Sequence, residues 1–172
     1  LPPSELADNF FLARQPILNR GQRLVGYELL FRNARSPDAA DITDHAEATA
    51  TVIAHASELG MEHVVGDQMA FVNIDGVGLM SDFIRFLPND KVILEILETV
   101  KATPEVLDRI RELKQAGFRF ALDDVIGQTE DVQKLLPLCD VIKVDIQDLQ
   151  PGTLPALTRV LKNSKQKLLA EK

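Results

Sequence analysis

Carboxylates, one amide and one lysine recur at the ends of short apolar runs along this chain. Glu28 lies in Gly26-Tyr27-Glu28-Leu29-Leu30, and Asn73 in Phe71-Val72-Asn73-Ile74. Glu95 and Glu98 punctuate Ile93-Leu94-Glu95-Ile96-Leu97-Glu98, and Asp123 and Asp124 end Phe120-Ala121-Leu122. Lys143 interrupts Val141-Ile142-Lys143-Val144-Asp145, and Glu171 ends Leu168-Leu169-Ala170. Burying one carboxylate without a partner is expensive. Any one of these residues alone reads as a satisfied strand-end polar group or an ion pair. The repetition at equivalent positions argues instead for convergence on one site. Oxygen-rich groups brought together suit a hard cation, Mg²⁺ or Mn²⁺, and two such ions roughly 4 Å apart would suit hydrolysis of a phosphodiester. Zinc fits poorly. There is no cysteine cluster, His45 and His55 are ten residues apart, and His63 falls in a polar loop, so all three histidines read as surface or capping groups.

The elements that must carry these residues follow from the periodicity. Phe11-Leu12-Ala13 and Leu24-Val25-Gly26-Tyr27 flank the turn-rich Asn19-Arg20-Gly21-Gln22, which predicts a β-hairpin. Asp44 and Glu47 make a capping-box-like start to a helix through Ala48, Val52 and Ala56 that stops at Gly60. Apolar runs at 69–74, 92–97, 118–122, 141–144 and 167–170 then alternate with helical patterns. Those patterns carry Leu79, Phe83 and Leu87; Val106, Ile110 and Leu113 behind Thr103-Pro104; Val132, Leu135 and Leu136 behind Thr129; and Leu154, Leu157 and Leu161. Nearly continuous apolar runs fit strands buried on both faces, and their alternation with helices means a parallel α/β sheet. In a (β/α) barrel the C-terminal strand ends meet on one face, which is where such residues would assemble.

The totals bound the reading. The chain has 172 residues, 45% of them hydrophobic, enough for one domain with a sizeable core. A net charge of −7 argues against a general nucleic-acid binder, though not against a small phosphorylated ligand. The single Cys139 reads as a small buried residue and suits a reducing, cytoplasmic setting. No apolar run approaches the roughly 18 residues of a membrane span, and no signal peptide is visible. Lys162, Lys165 and Lys167 read as a solvated helix end.

The ordered motifs resemble the EAL domain, a family named for Glu-Ala-Leu that binds and hydrolyses cyclic di-GMP. The name motif here is Glu28-Leu29-Leu30, followed by Phe31-Arg32. The resemblance continues through Gln15-Pro16, Asn73, Leu94-Glu95-Ile96-Leu97-Glu98, Leu122-Asp123-Asp124, Lys143-Val144-Asp145 and Ala170-Glu171. The wording around Ala13-Arg14-Gln15-Pro16-Ile17 is similar to the subgroup in which the EAL domain precedes an HDOD domain. The resemblance implies an α/β fold, a (β/α) TIM-like barrel of EAL type with an N-terminal β-hairpin. It is incomplete, with about six of the eight strand units of a closed barrel. Residues 1–9 would be a lead-in and 10–172 an EAL domain cut before its last βα units.

Carried over by residue, the resemblance implies that Glu28, Asn73, Glu95 and Asp123 hold a first Mg²⁺ or Mn²⁺, with Asp124 helping to bind a second. Lys143 would orient the attacking water. Glu171 would stand near the metals, and Glu98 would brace the loop after the fourth strand. Arg32 would grip a ligand phosphate, with Gln15 and Asp145 as further ligand contacts. The chain departs from the family at Leu29 and at Asp123-Asp124-Val125-Ile126-Gly127-Gln128, where the family has Asp-Asp-Phe-Gly-Thr-Gly. Losing glycines that permit unusual backbone angles should reshape that loop. The expected function is therefore a degenerate ligand-sensing or protein-interaction module in cyclic di-GMP signalling. The alternative is an active Mg/Mn-dependent phosphodiesterase that releases the linear dinucleotide. Implied partners are cyclic di-GMP, protein partners or a C-terminal HDOD domain, and a second copy in a homodimer, with neither nucleic acid nor membrane among them.

Overall fold

A computed structural model of the chain describes residues 10–19, 21–33, 60–123, 129–145, 152, 155, 159 and 166–171. The described residues begin with the expected hairpin, β1 (Phe10–Leu18) and β2 (Leu24–Asn33), paired antiparallel from Phe10↔Asn33 to Leu18↔Leu24. Its turn is tied by Asn19, whose Oδ1 accepts the N–H groups of Gly21 at 2.9 Å and Arg23 at 3.1 Å. An asparagine side chain that bonds the backbone two residues on mimics a turn in this way.

From β2 onward every neighbour pair is parallel. Strands β3 (Met69–Ile74), β4 (Val92–Ile96), β5 (Arg119–Leu122), β6 (Val141–Asp145) and β7 (Lys167–Glu171) follow in sequence order, giving one 7-stranded sheet β1-β2-β3-β4-β5-β6-β7. This is the parallel sheet that the alternation predicts and the incomplete barrel that the resemblance implies, with six parallel strand units behind the hairpin strand.

The two-residue period of a strand sorts the side chains onto two faces. Ala70, Val72, Ile74, Val92, Leu94, Ile96, Phe120, Leu122, Ile142 and Val144 join one core with Leu79, Ile84, Ile110, Leu113 and Leu135 from the helical segments. Their neighbours Phe71, Ile93, Ala121 and Val141 form a second, smaller cluster with Ile17 on the concave face. Both faces are apolar at that level of the sheet, so the runs show almost no alternation in sequence.

Helices α1 (Met61–Val65), α2 (Gly76–Met80), α3 (Pro104–Gln115) and α4 (Glu130–Leu135) lie between the strands. Thr103 and Thr129 cap α3 and α4 as the sequence suggests, accepting from the N–H groups of Val106 and Val132. Lys114 Nζ on α3 reaches both carboxylate oxygens of Asp140 at 2.9 Å, and Asp140 Oδ2 accepts the Phe120 N–H at 3.0 Å. That relay fixes α3 against the start of β5 and the approach to β6. Cys139 is buried beside it, as expected.

Three expectations need correction. Leu79, Phe83 and Leu87 do not share one helix: the chain turns extended at Ser81 and resumes as a 3₁₀ segment, Asp82–Phe86. Ile84 takes the buried position there and Phe83 is 60% exposed, because a 3₁₀ turn repeats every three residues. His63 lies in α1 instead of a loop, although it is exposed as expected. Lys167 opens β7 instead of ending a helix, while Lys162 and Lys165 lie outside the described residues. The helix expected at 44–59, with His45 and His55, also lies outside them, as does most of the one through Leu154, Leu157 and Leu161, where Pro155 and Arg159 are helical. Among the described residues, no helix is long and apolar enough to cross a membrane.

Candidate functional site

The concave face changes character along its length. Where β3, β4 and β6 start, it carries Met69, Phe71, Ile93 and Val141; two residues further on stand Asn73, Glu95 and Lys143. The parallel register sets Asn73 opposite Glu95, and Glu95 opposite Ala121. Asp123 follows β5 two residues past Ala121 and therefore on the same face. Its N–H donates to the Ile96 carbonyl at 3.1 Å, which extends the ladder just far enough to fix it. Glu28 enters from β2, with Gln15 as its cross-strand partner on β1.

These groups meet at one point. Lys143 Nζ lies 2.9 Å from Glu95 Oε1, 3.0 Å from Asp123 Oδ1 and 3.3 Å from Glu28 Oε2. Asn73 Nδ2 donates to Glu28 Oε1 at 3.2 Å. Side-chain exposure is 0% for Glu95, 1% for Lys143, 13% for Glu28 and 12% for Asp123. Burial raises the Glu95 carboxyl above the usual carboxylate range, the Lys143 ammonium opposes that rise, and the charges of Glu28 and Asp123 add to it. Burial alone would lower the Lys143 ammonium, but Glu95, Asp123 and Glu28 outweigh it and hold the group protonated.

The donor set fits a hard divalent cation. It comprises three carboxylates and an amide oxygen, and Glu95 Oε2 is buried with no hydrogen-bond donor among the described residues. Among those residues, no group of three or more His, Cys, Asp or Glu is arranged as a ready cage.

The remaining sequence candidates divide. Gln15 is exposed beside Glu28, and Glu98 is exposed two residues past the end of β4. Asp124 lies outside the described residues, as do the side chains of Arg32, Asp145 and Glu171. The backbones of Asp145 and Glu171 are register partners at the C-terminal ends of β6 and β7. Two arginines escaped the sequence reading. Arg14 packs over the Tyr27 ring at 4.8 Å and donates to the Val64 carbonyl at 2.5 Å. Arg109 is buried under α2 and the 3₁₀ segment. Its signal was there to see, because it shares the apolar spacing of Val106, Ile110 and Leu113.

No protein-family model matches the chain. The cyclic di-GMP phosphodiesterase CdgJ of Vibrio cholerae is 30% identical over 165 residues, which are 94% of this chain and 38% of CdgJ. The chain thus spans well under half the length of that relative. Among solved structures, the Bacillus subtilis YkuI protein, with an EAL domain and bound to its substrate c-di-GMP and calcium, superposes with a TM-score of 0.74 at 20% identity. The match covers 99% of this chain and 51% of YkuI. The EAL domain of Mycobacterium smegmatis DcpA superposes with a TM-score of 0.68 at 23% identity, over 94% of this chain and 80% of that domain. Half-barrel topology, strand-end residues and these likenesses agree: the chain has the fold of the EAL domains.

Proposed function

We propose that the chain is the cyclic di-GMP-binding part of a longer signalling protein, holding a divalent cation in its strand-end cluster. The observation that carries this reading is the convergence of Glu28, Glu95 and Asp123 on Lys143 Nζ, each within 3.3 Å, with Asn73 hydrogen-bonded to Glu28. A purely structural sheet gains nothing from burying three carboxylates on its inner face. Glu28, Asn73, Glu95 and Asp123 hold the cation, Mg²⁺ or Mn²⁺. A divalent cation held by these residues would supply Lewis-acid chemistry to a phosphoryl oxygen. Lys143 supplies a second positive charge to the phosphodiester, and Gln15 contacts the ligand from the hairpin. Arg32 and Asp145 complete the ligand contacts, Asp124 and Glu171 the metal-side groups, and Glu98 braces the loop after β4. The ligand reading draws support from CdgJ and YkuI, the first named for cyclic di-GMP hydrolysis and the second bound to that nucleotide.

Residues 10–172 form the EAL unit in this reading, with a second copy and an HDOD domain or other protein as its partners. A cytoplasmic setting suits a chain whose one cysteine is a buried free thiol.

Titration calorimetry of cyclic di-GMP into the full-length protein, with Ca²⁺ or Mg²⁺, tests the reading. Metal-dependent binding that disappears in Glu28→Ala is expected. No binding with either metal would overturn it. A second reading, hydrolysis to the linear dinucleotide, is favoured by the placement of Lys143 among the carboxylates. Its test is turnover in Mg²⁺ that Glu28→Ala removes, and a rate untouched by that change would assign the hydrolysis to another site.

A further inference from the structure

The ammonium of Lys143 and the proposed cation need the same oxygens. Nζ lies within 3.3 Å of Glu28 Oε2, within 3.0 Å of Asp123 Oδ1 and within 2.9 Å of Glu95 Oε1. The Glu28 contact is a hydrogen bond, with Nζ donating to Oε2, and those to Glu95 Oε1 and Asp123 Oδ1 are close ion pairs. A Mg²⁺ or Mn²⁺ ion bound by those carboxylates would sit about 2.1 Å from each oxygen it takes. Ammonium and metal would then stand only a few ångströms apart behind low-dielectric walls, where like charges repel strongly. Both cannot hold the full set at once.

We propose that Lys143 is a built-in counter-ion, which neutralises the carboxylate cluster before metal loading and is displaced when a divalent cation enters. The inference rests on the reading that Glu28, Asn73, Glu95 and Asp123 are the metal ligands. It gives Lys143 a role that no hydrolytic step requires. Without it, three carboxylates would be crowded together at the end of a buried sheet face. With it, the fold forms before metal binds, and any cation must compete against an internal one.

The test compares full-length wild type with Lys143→Met, similar in length and uncharged, using Mn²⁺ as the probe. Mn²⁺ is titrated by electron paramagnetic resonance without nucleotide, and melting temperature is followed with and without the ion. Lys143→Met should melt lower than wild type without metal, bind Mn²⁺ about tenfold tighter or more, and gain more in melting temperature when Mn²⁺ is added. A gap of that size is the least that a buried ion pair, broken on metal entry, should produce. Equal or weaker Mn²⁺ binding by the variant overturns the counter-ion while leaving the metal site in place. Absence of Mn²⁺ binding in both proteins overturns the metal-site reading itself. Wild type supplies an independent readout should the variant not fold. The ¹⁵N signal of the buried Lys143 ammonium should shift on saturation with diamagnetic Mg²⁺, and a signal unmoved at saturation overturns the proposal.

Discussion

Glu95 on β4 and Lys143 on β6 form a 2.9 Å ion pair with exposures of 0% and 1%, reaching across the intervening strand β5. The residue of β5 in register with Glu95 is Ala121, itself fully buried on the same face. Its methyl group leaves the gap through which the two charges meet. Ala121→Leu would drive three extra carbons into that gap. We expect a loss of about 1–3 kcal/mol from overpacking, and more if the pair separates. Urea unfolding measures it. A midpoint equal to that of wild type would show that the pair does not depend on the space above Ala121.

Gly26 shows how the same face limits the hairpin. A Cβ added there would stand 2.9 Å from the Met69 carbonyl oxygen and 2.9 Å from the Phe71 ring. The carbonyl belongs to the strand that Gly26 pairs with, Gly26↔Met69, so it cannot retreat without opening the β2–β3 ladder. Gly26→Ala is expected to cost about 1–3 kcal/mol through that forced shift. It should also weaken metal binding, since Glu28 lies two residues along the displaced strand. Chemical denaturation and Mn²⁺ titration of one preparation measure both effects, and a change in neither contradicts the close approach.

Much of the fold was legible because burial on both faces leaves a plain mark. Met69–Ile74 reads as one apolar run and is one strand, and Thr103-Pro104 and Thr129 start the helices they should. The site residues were legible for the opposite reason, since Glu95 and Lys143 interrupt runs that are otherwise apolar. What sequence could not give was pairing. Spacing alone does not say that Lys143 lies among three carboxylates, because that depends on the register of β2, β4, β5 and β6. The break at Ser81 was hidden too. Leu79, Phe83 and Leu87 keep helical spacing by chance, while the buried positions are Leu79, Ile84 and Leu87.

Arg109 holds that broken segment in place. Its Nε donates to the Leu79 carbonyl at 3.1 Å, and Nη2 donates to the Ser81 carbonyl and to Asp82 Oδ1, each at 3.1 Å. Nη1 reaches Glu112 Oε2 at 2.8 Å. The planar fork satisfies carbonyls on both sides of the break at Ser81, which a lysine's single ammonium cannot do. Arg109→Lys should therefore cost nearly as much as Arg109→Ala, about 2–4 kcal/mol, because buried carbonyls lose their donors in both. Full rescue of the unfolding midpoint by lysine would show that charge, and not the fork, matters.

Cys139 supplies the pH-dependent prediction. Burial pushes its thiol up to about 12, with the Lys114 ammonium opposing and Asp140 reinforcing the shift. In the unfolded chain the thiol ionises near its ordinary value of about 8.5. The folded state therefore keeps the proton over a range where the unfolded state has released it. The stability linked to this proton is complete below about pH 8.5 and is lost as pH rises from there toward 12. Alkylation of the native protein should be slow at about pH 8 and should accelerate with denaturant in step with unfolding, because the thiolate is the nucleophile. Replacing the thiol by Cys139→Ala should flatten the fall in stability above about pH 8.5, at the cost of a small cavity. Rapid alkylation of the native protein at neutral pH would show that the thiol is neither buried nor protonated as the structure places it.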